Sequence, residues 1–224
     1  MGRVPEDPPI RLTGDLTELE AFLRRRLAAQ LPGAEAQLRF APNPRRKGWE
    51  PHLTPDEARR AAALILIYPG VDGPSIPLTR RHDDLPHHPG QISLPGGAID
   101  PGETPVNAAL REAREEIGVP PETVRILGQL SSLWVVVSGY LLYPFVGIAD
   151  HRPDFQPYTR EVADLIEAPL SALLDPARRG LDRRVRDGIL IEYPHFDVAG
   201  HQVWGATGMV LSEFVALFGS AYTP

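Results

Sequence analysis

The apolar positions of this chain change period several times, and each change marks an element. Leu16, Leu19, Phe22, Leu23 and Leu27 recur at helical spacing. Thr17 with Glu20 reads as a capping box, and Pro32-Gly33 stops the helix. Residues 33–54 are polar, with Pro42, Pro44, Pro51 and the basic run Arg45-Arg46-Lys47, and read as a connector with a solvated face. A main domain is expected to begin near Asp56. The continuous apolar run 61–68, closed by Pro69-Gly70, suits a buried strand. Further strands are expected at 76–81, 91–94, 125–130, 134–137, 141–148, 161–167 and 188–193, with a turn-rich loop at 83–90. The spacing predicts helices over 104–117 and 206–218. For the first of these, Thr104 caps, Pro105 takes the first helical position and Gly118 ends the helix. Strands and helices mixed in this way predict helix/sheet/helix layering around a mixed sheet. The chain divides into an N-terminal arm, helix and connector (1–55) packed on a main domain (56–224).

Composition narrows the function. The 224 residues are 42% hydrophobic and 23% charged, enough to form a core and too apolar for wholesale disorder. With 23 basic against 29 acidic residues the net charge is −6, which argues against a nucleic-acid binder. Lys47 is the only lysine, so nearly all positive charge is arginine, the better fork for phosphate. Cysteine is absent, excluding disulfides, zinc–thiolate sites and a cysteine nucleophile. Residues 1–10 lack the apolar segment of a secretory signal, and no stretch approaches the ~18 apolar residues of a membrane span. The cytosol is the expected compartment, with no membrane partner.

The 104–117 helix carries the candidate chemistry. At 100° per residue, Val106, Ala109, Leu110, Ala113 and Ile117 fall within about 100° of one another and form the packing stripe. Glu112, Glu115 and Glu116 share the adjacent face over a similar arc. Like charges at these spacings repel, and partial burial raises the cost of each ionised form. Arginine pairing or a bound cation relieves this. The residues alone permit either a solvated acidic face paired to Arg111 and Arg114, or an oxygen site suited to Mg²⁺ or Mn²⁺ rather than zinc.

The residues in front of the helix extend the pattern: Gly97, five residues, Glu103, seven residues, then Arg111-Glu112-Ala113-Arg114-Glu115-Glu116-Ile117-Gly118-Val119. Each constrained position of the Nudix box, Gly-x5-Glu-x7-Arg-Glu-U-x-Glu-Glu-x-Gly-U with U apolar, is met, so the chain resembles the Nudix hydrolases. The resemblance implies an α+β fold, an α/β/α sandwich with a mixed sheet and a loop–helix–loop motif, over roughly residues 56 to 218. It also implies divalent-metal-dependent hydrolysis of a diphosphate in a nucleoside diphosphate derivative. By position, Glu112, Glu115 and Glu116 would be metal ligands with the Gly96 carbonyl, Glu103 would support the site or a further metal, and Arg111 would orient the acids. The family uses different general bases; Glu112 and, on a later loop, Glu161 are the two candidates here.

A second stretch bears on substrate. Leu78-Thr79-Arg80-Arg81, eight residues, Gly90, then Leu94-Pro95-Gly96-Gly97 is similar to the signature upstream of the box in coenzyme A pyrophosphatases, Leu-Leu-Thr-x-Arg-Ser/Ala-x3-Arg-x3-Gly-x3-Phe-Pro-Gly-Gly. Pro77, His82, Pro86 and Leu94 depart from it. Trp204-Gly205-Ala206-Thr207 resembles the start of that family's C-terminal helix. The implied substrate is coenzyme A or an acyl derivative, whose 3′-phosphate calls for extra cationic donors. Arg80, Arg81, His82 and His87, with Gly96 and Gly97, are the candidate substrate contacts, and His88 stands beside His87. The rival substrates are ADP-ribose, a dinucleotide or a damaged nucleotide, and the rival role is a non-catalytic nucleotide-binding regulator.

Overall fold

The computed structural model describes residues 10–45, 58–84, 90–158, 160–186 and 188–219. The expected domain start near Asp56, Arg46-Lys47 of the basic run, and His87 with Pro86 and His88 lie outside these residues. The chain first forms α1 (Thr17–Ala28) and α2 (Gly33–Leu38), then β1 (Arg59–Gly70), β2 (Gly73–Arg81), β3 (Ile92–Ser93) and β4 (Gly96–Ala98). Helix α3 (Pro105–Ile117) leads to β5 (Arg125–Gln129), β6 (Leu133–Val135), β7 (Tyr140–Ile148) and β8 (Val162–Pro169). Then come α4 (Leu170–Leu174), β9 (Arg179–Arg186), β10 (Ile189–Val198), β11 (His201–Val203) and α5 (Gly205–Ala216).

Strand β1 organises the layers. Its side chains alternate between two cores, which is why its apolar run is unbroken. Ala62, Leu64, Leu66 and Tyr68 pack with Ala109, Ala113 and Ile117 of α3. Ala63, Ile65 and Ile67 face the opposite way, into the core built by Phe22 and Leu23 of α1 and Met209 and Phe214 of α5. The result is the expected mixed sheet between helices. β1 runs parallel to β7 from Arg59↔Tyr140 to Ile67↔Ile148. It pairs with β2 only at the hairpin, Tyr68↔Ser75 to Gly70↔Gly73. Beyond the hairpin β2 pairs with β8 and β3, while β1 takes β4 at Ala61↔Ala98 to Ala63↔Gly96. The Gly96 backbone therefore lies against β1 so closely that a Cβ there would sit 2.4 Å from the Ala62 carbonyl oxygen and 2.7 Å from Ala63 Cα. Among the described residues no helix is long and apolar enough to cross a membrane.

Local expectations are met at α3: Thr104 Oγ1 accepts from the Asn107 amide, and Gly118 closes the helix at φ 75°. Three readings are corrected. The capping box at Thr17 and Glu20 is absent; the Thr17 amide and hydroxyl both donate to Asp15 Oδ1, at 2.9 and 2.7 Å. Glu20 is drawn instead to Arg24 and Arg125, because an ion pair outbids a neutral cap. Residues 33–38, read as connector, form α2. Nor does the hydrophobic pattern announce α4 or β9, two short elements set by tertiary contacts.

Helix α2 shows how such a contact works. Glu213 on α5 is fully buried, and its carboxylate accepts from the Gly33 amide (3.1 Å), the Ser131 amide (3.2 Å) and Gln37 Nε2 (2.8 Å). Ser212 Oγ donates to the Ala36 carbonyl at 2.7 Å. Replacing Glu213 with Ala strands three donors and is expected to lower unfolding free energy by about 2–4 kcal/mol. Denaturant titration measures it; a loss below about 0.5 kcal/mol contradicts the role assigned to this carboxylate.

Candidate active site

The site is assembled from β4, α3 and the loop 149–161. α3 presents its apolar stripe to β1, so the residues flanking that stripe sit in graded burial. Glu116 is buried, Glu112 is half-buried and Glu115 is exposed. The face read as one carboxylate cluster is therefore split by depth.

Arg111 gathers most of it. Its Nε and Nη2 donate to the two oxygens of Glu103, both at 3.0 Å. Nη1 donates to Glu112 Oε1 at 2.7 Å and to Glu115 Oε2 at 3.2 Å, and Nη2 reaches the Ala98 carbonyl at 2.9 Å. The guanidinium thus ties the helix to the preceding loop. Glu103 is held below the usual carboxylate range, chiefly by its hydrogen bonds from Arg111. Arg111 is itself pushed up by the same contacts, Glu103 first. Arg114, the other arginine read as a partner, is exposed.

Glu112 and Glu116 behave differently. Burial pushes Glu112 up, against the pull of Arg111, and the charges of Glu115 and Glu161 add to the rise. Burial also pushes Glu116 up, to about 8, despite the Gly96 amide that donates to its Oε2 at 3.2 Å and the charge of Arg81. Gly97 is constrained by the same crowding: a Cβ there would lie 2.5 Å from Glu112 Cδ.

The loop 149–161 crosses the C-terminus of α3. The Gln156 amide donates to the Ile117 carbonyl and the Tyr158 amide to the Glu116 carbonyl, at 3.0 and 2.8 Å. A Cβ on Gly118 would meet Gln156 Cβ at 2.9 Å, so glycine serves both the left-handed cap and the crossing. The loop brings Glu161, exposed, within Coulombic reach of Glu112 and Glu116. No periodicity in the sequence announces this loop; its two backbone bonds to α3 leave no pattern in side-chain types.

The strand-end residues part company. Arg80 is engaged by Asp83 at 2.6 Å. Arg81 has a buried Nε with no hydrogen-bond partner among the described residues, and its charge acts on Glu116. His82 lies beside Asp84, and its amide donates to the Glu161 carbonyl.

Among the described residues no three His, Asp or Glu side chains converge on a single point. The donor chemistry nevertheless fits a hard divalent cation. Every side-chain donor is a carboxylate oxygen, and four box carboxylates (Glu103, Glu112, Glu115, Glu116) against the two guanidiniums of Arg111 and Arg81 leave a formal −2 when all are ionised. Glu112 and Glu116 are raised chiefly by burial, the condition under which a nearby cation most favours the charged carboxylate.

The chain is similar to known proteins. A family model described as the NUDIX domain matches residues 58–186. The chain is 36% identical over 170 residues to an uncharacterized Nudix hydrolase NudL of Enterobacter sp. (strain 638), covering 72% of this chain and 84% of that one. It is 34% identical over 186 residues to the NudL of Photorhabdus laumondii, covering 79% and 90%. Among solved structures, a MutT protein from Methanosarcina mazei Go1 superposes at TM-score 0.46 with 17% identity, covering 70% of this chain and 92% of that one.

Gly97→Ala is expected to displace the Glu112 carboxylate and slow hydrolysis by about 10–100-fold while the melting temperature stays within a few degrees. Arg111→Lys, which keeps the charge and loses the fork, is expected to cost a similar factor. Kinetics and thermal melts on the two variants check this, and near-normal rates in both contradict the arrangement described.

Proposed function

The chain belongs to the Nudix hydrolases, and from that premise we propose that it cleaves the diphosphate of coenzyme A and its thioesters. The products are 3′,5′-ADP and 4′-phosphopantetheine or its acylated form. Nudix hydrolases use divalent cations; here the reading is Mg²⁺ or Mn²⁺, held by Glu112, Glu115 and Glu116 with the Gly96 carbonyl. A cation held by these residues would supply charge neutralisation of the diphosphate and a lowered pKa for water. Glu103 supports this set, and Arg111 keeps the acids oriented. Glu112 or Glu161 takes the proton of the attacking water.

The substrate assignment rests on one stretch, Leu78-Thr79-Arg81, Gly90 and Pro95-Gly96-Gly97, which repeats the coenzyme A pyrophosphatase signature at those positions. Arg81 supports it further: its guanidinium charge already acts on Glu116 at the heart of the site, and its Nε has donor capacity to spare. Arg80 is the weaker contact, being engaged by Asp83. His82 contributes at the rim, and His87, in the loop that follows, is the further candidate. Pro86, where the signature has a second arginine, is the feature that favours ADP-ribose or a dinucleotide instead.

With Mg²⁺ or Mn²⁺, the purified chain is expected to release 3′,5′-ADP from coenzyme A; intact coenzyme A at the end of the assay overturns the proposal. Arg81→Ala is expected to lower kcat/KM on coenzyme A at least about tenfold more than on dephospho-coenzyme A. Equal losses on both remove Arg81 from the 3′-phosphate.

A further inference from the structure

Large apolar side chains are exposed at seven positions among the described residues, and four of them, Leu181, Val185, Ile189 and Leu190, stand on the β9–β10 hairpin. The register pairs Leu181 with Pro194, Arg183 with Glu192 and Val185 with Leu190. Directly opposed residues of an antiparallel pair share a face, and alternation puts all six on the same one. Arg183 Nε donates to Glu192 Oε1 at 3.0 Å across it. The face therefore reads apolar, ion pair, apolar.

The opposite face carries the exposed Ile189 at its tip and is used internally nearer the body. Tyr193 meets Trp204 edge-on at 5.1 Å, and the Arg184 guanidinium lies over both rings. Toward the body the open face is also covered: Phe196, two residues past Pro194, stacks on Phe40 at 4.2 Å. The apolar stripe thus leaves the core at Phe196 and continues uncovered along the outer part of the hairpin.

We infer that this face is an interface with a second copy of the chain, related by a two-fold axis along the hairpin. That operation lays β9 on β10 of the second copy. Leu181 then meets Pro194 of the second copy, and Val185 meets its Leu190. Arg183 meets Glu192 of the second copy, and Glu192 meets Arg183, so the pattern is complementary to itself as an isologous contact requires. A two-fold axis across the strands would instead stack Arg183 on Arg183. Charge limits the pull of an anionic surface: of the five arginines between residues 178 and 186, Arg178, Arg183 and Arg184 are paired with Asp175, Glu192 and Asp182 of the same segment, and Arg179 and Arg186 are exposed.

Sedimentation velocity of the full chain tests it. The wild type is expected to sediment as a dimer. Val185→Lys with Leu190→Lys is expected to weaken association at least about tenfold, and hydrolysis is expected to stay within about twofold. Val71→Lys, at a still more exposed apolar site in the β1–β2 turn, is expected to leave the dimer intact. Arg183→Glu is expected to weaken association, and adding Glu192→Arg to restore it, because the swap preserves every opposite-charge pair. That pair of variants carries the test if the lysine variant unfolds by circular dichroism. A monomeric wild type overturns the inference, as does a dimer that survives the lysine substitutions. Monomeric wild type that sediments with phosphatidylglycerol vesicles reassigns the face to a membrane surface.

Discussion

One guanidinium decides whether this site exists. Arg111 bonds three carboxylates and a backbone carbonyl from a single side chain, and its partners come from both the helix and the loop before it. Without that fork, Glu103, Glu112 and Glu115 would repel one another across a partly enclosed space where water screens poorly. Lysine carries the charge but not the geometry, since a point ammonium cannot match a bidentate carboxylate and a carbonyl together. Arg111 leaves Glu116 outside its reach. That carboxylate is the most buried of the set, and its only hydrogen bond among those described comes from the Gly96 amide. The site thus joins a satisfied outer ring to an inner carboxylate short of positive charge.

The fold sets this gradient of depth. β1 buries both faces, so α3 must lie flat on one of them, and the position of each glutamate around the helix fixes how far it sinks. The sheet opens past the β1–β2 hairpin, where β4 enters, and glycine is required because the Ala62 carbonyl leaves no room for a side chain. Gly97 is required for a different reason: its missing side chain is the space that the Glu112 carboxylate occupies. The motif's glycines and acids are therefore parts of one steric arrangement. Held this way, carboxylates and backbone are fixed in position before any ligand arrives.

Much of this was legible in the sequence. β1, α3 and α5 show their periods clearly, and the cap residues Thr104, Pro105 and Gly118 occupy the roles their chemistry suggests. The motif spacing named the cluster, because residue type and interval along a helix translate directly into direction. Depth did not translate. Glu115 and Glu116 are adjacent in sequence, yet one is exposed and the other buried, since the neighbouring loop and β4 cover one side of the helix. Helix α2 is invisible for a related reason: its ordering comes from Glu213, far along the chain. The Thr17 capping box fails because two arginines compete for Glu20, one of them more than a hundred residues away.

The central claim is that Glu112 and Glu116 are held together, at an electrostatic cost, in order to meet a cation. Titrating Mn²⁺ into the protein and following water proton relaxation tests this without any substrate. Wild type is expected to bind the ion, with Glu112→Gln and Glu116→Gln each weakening it at least about tenfold at unchanged fold. Equal Mn²⁺ affinity in all three proteins would contradict the account.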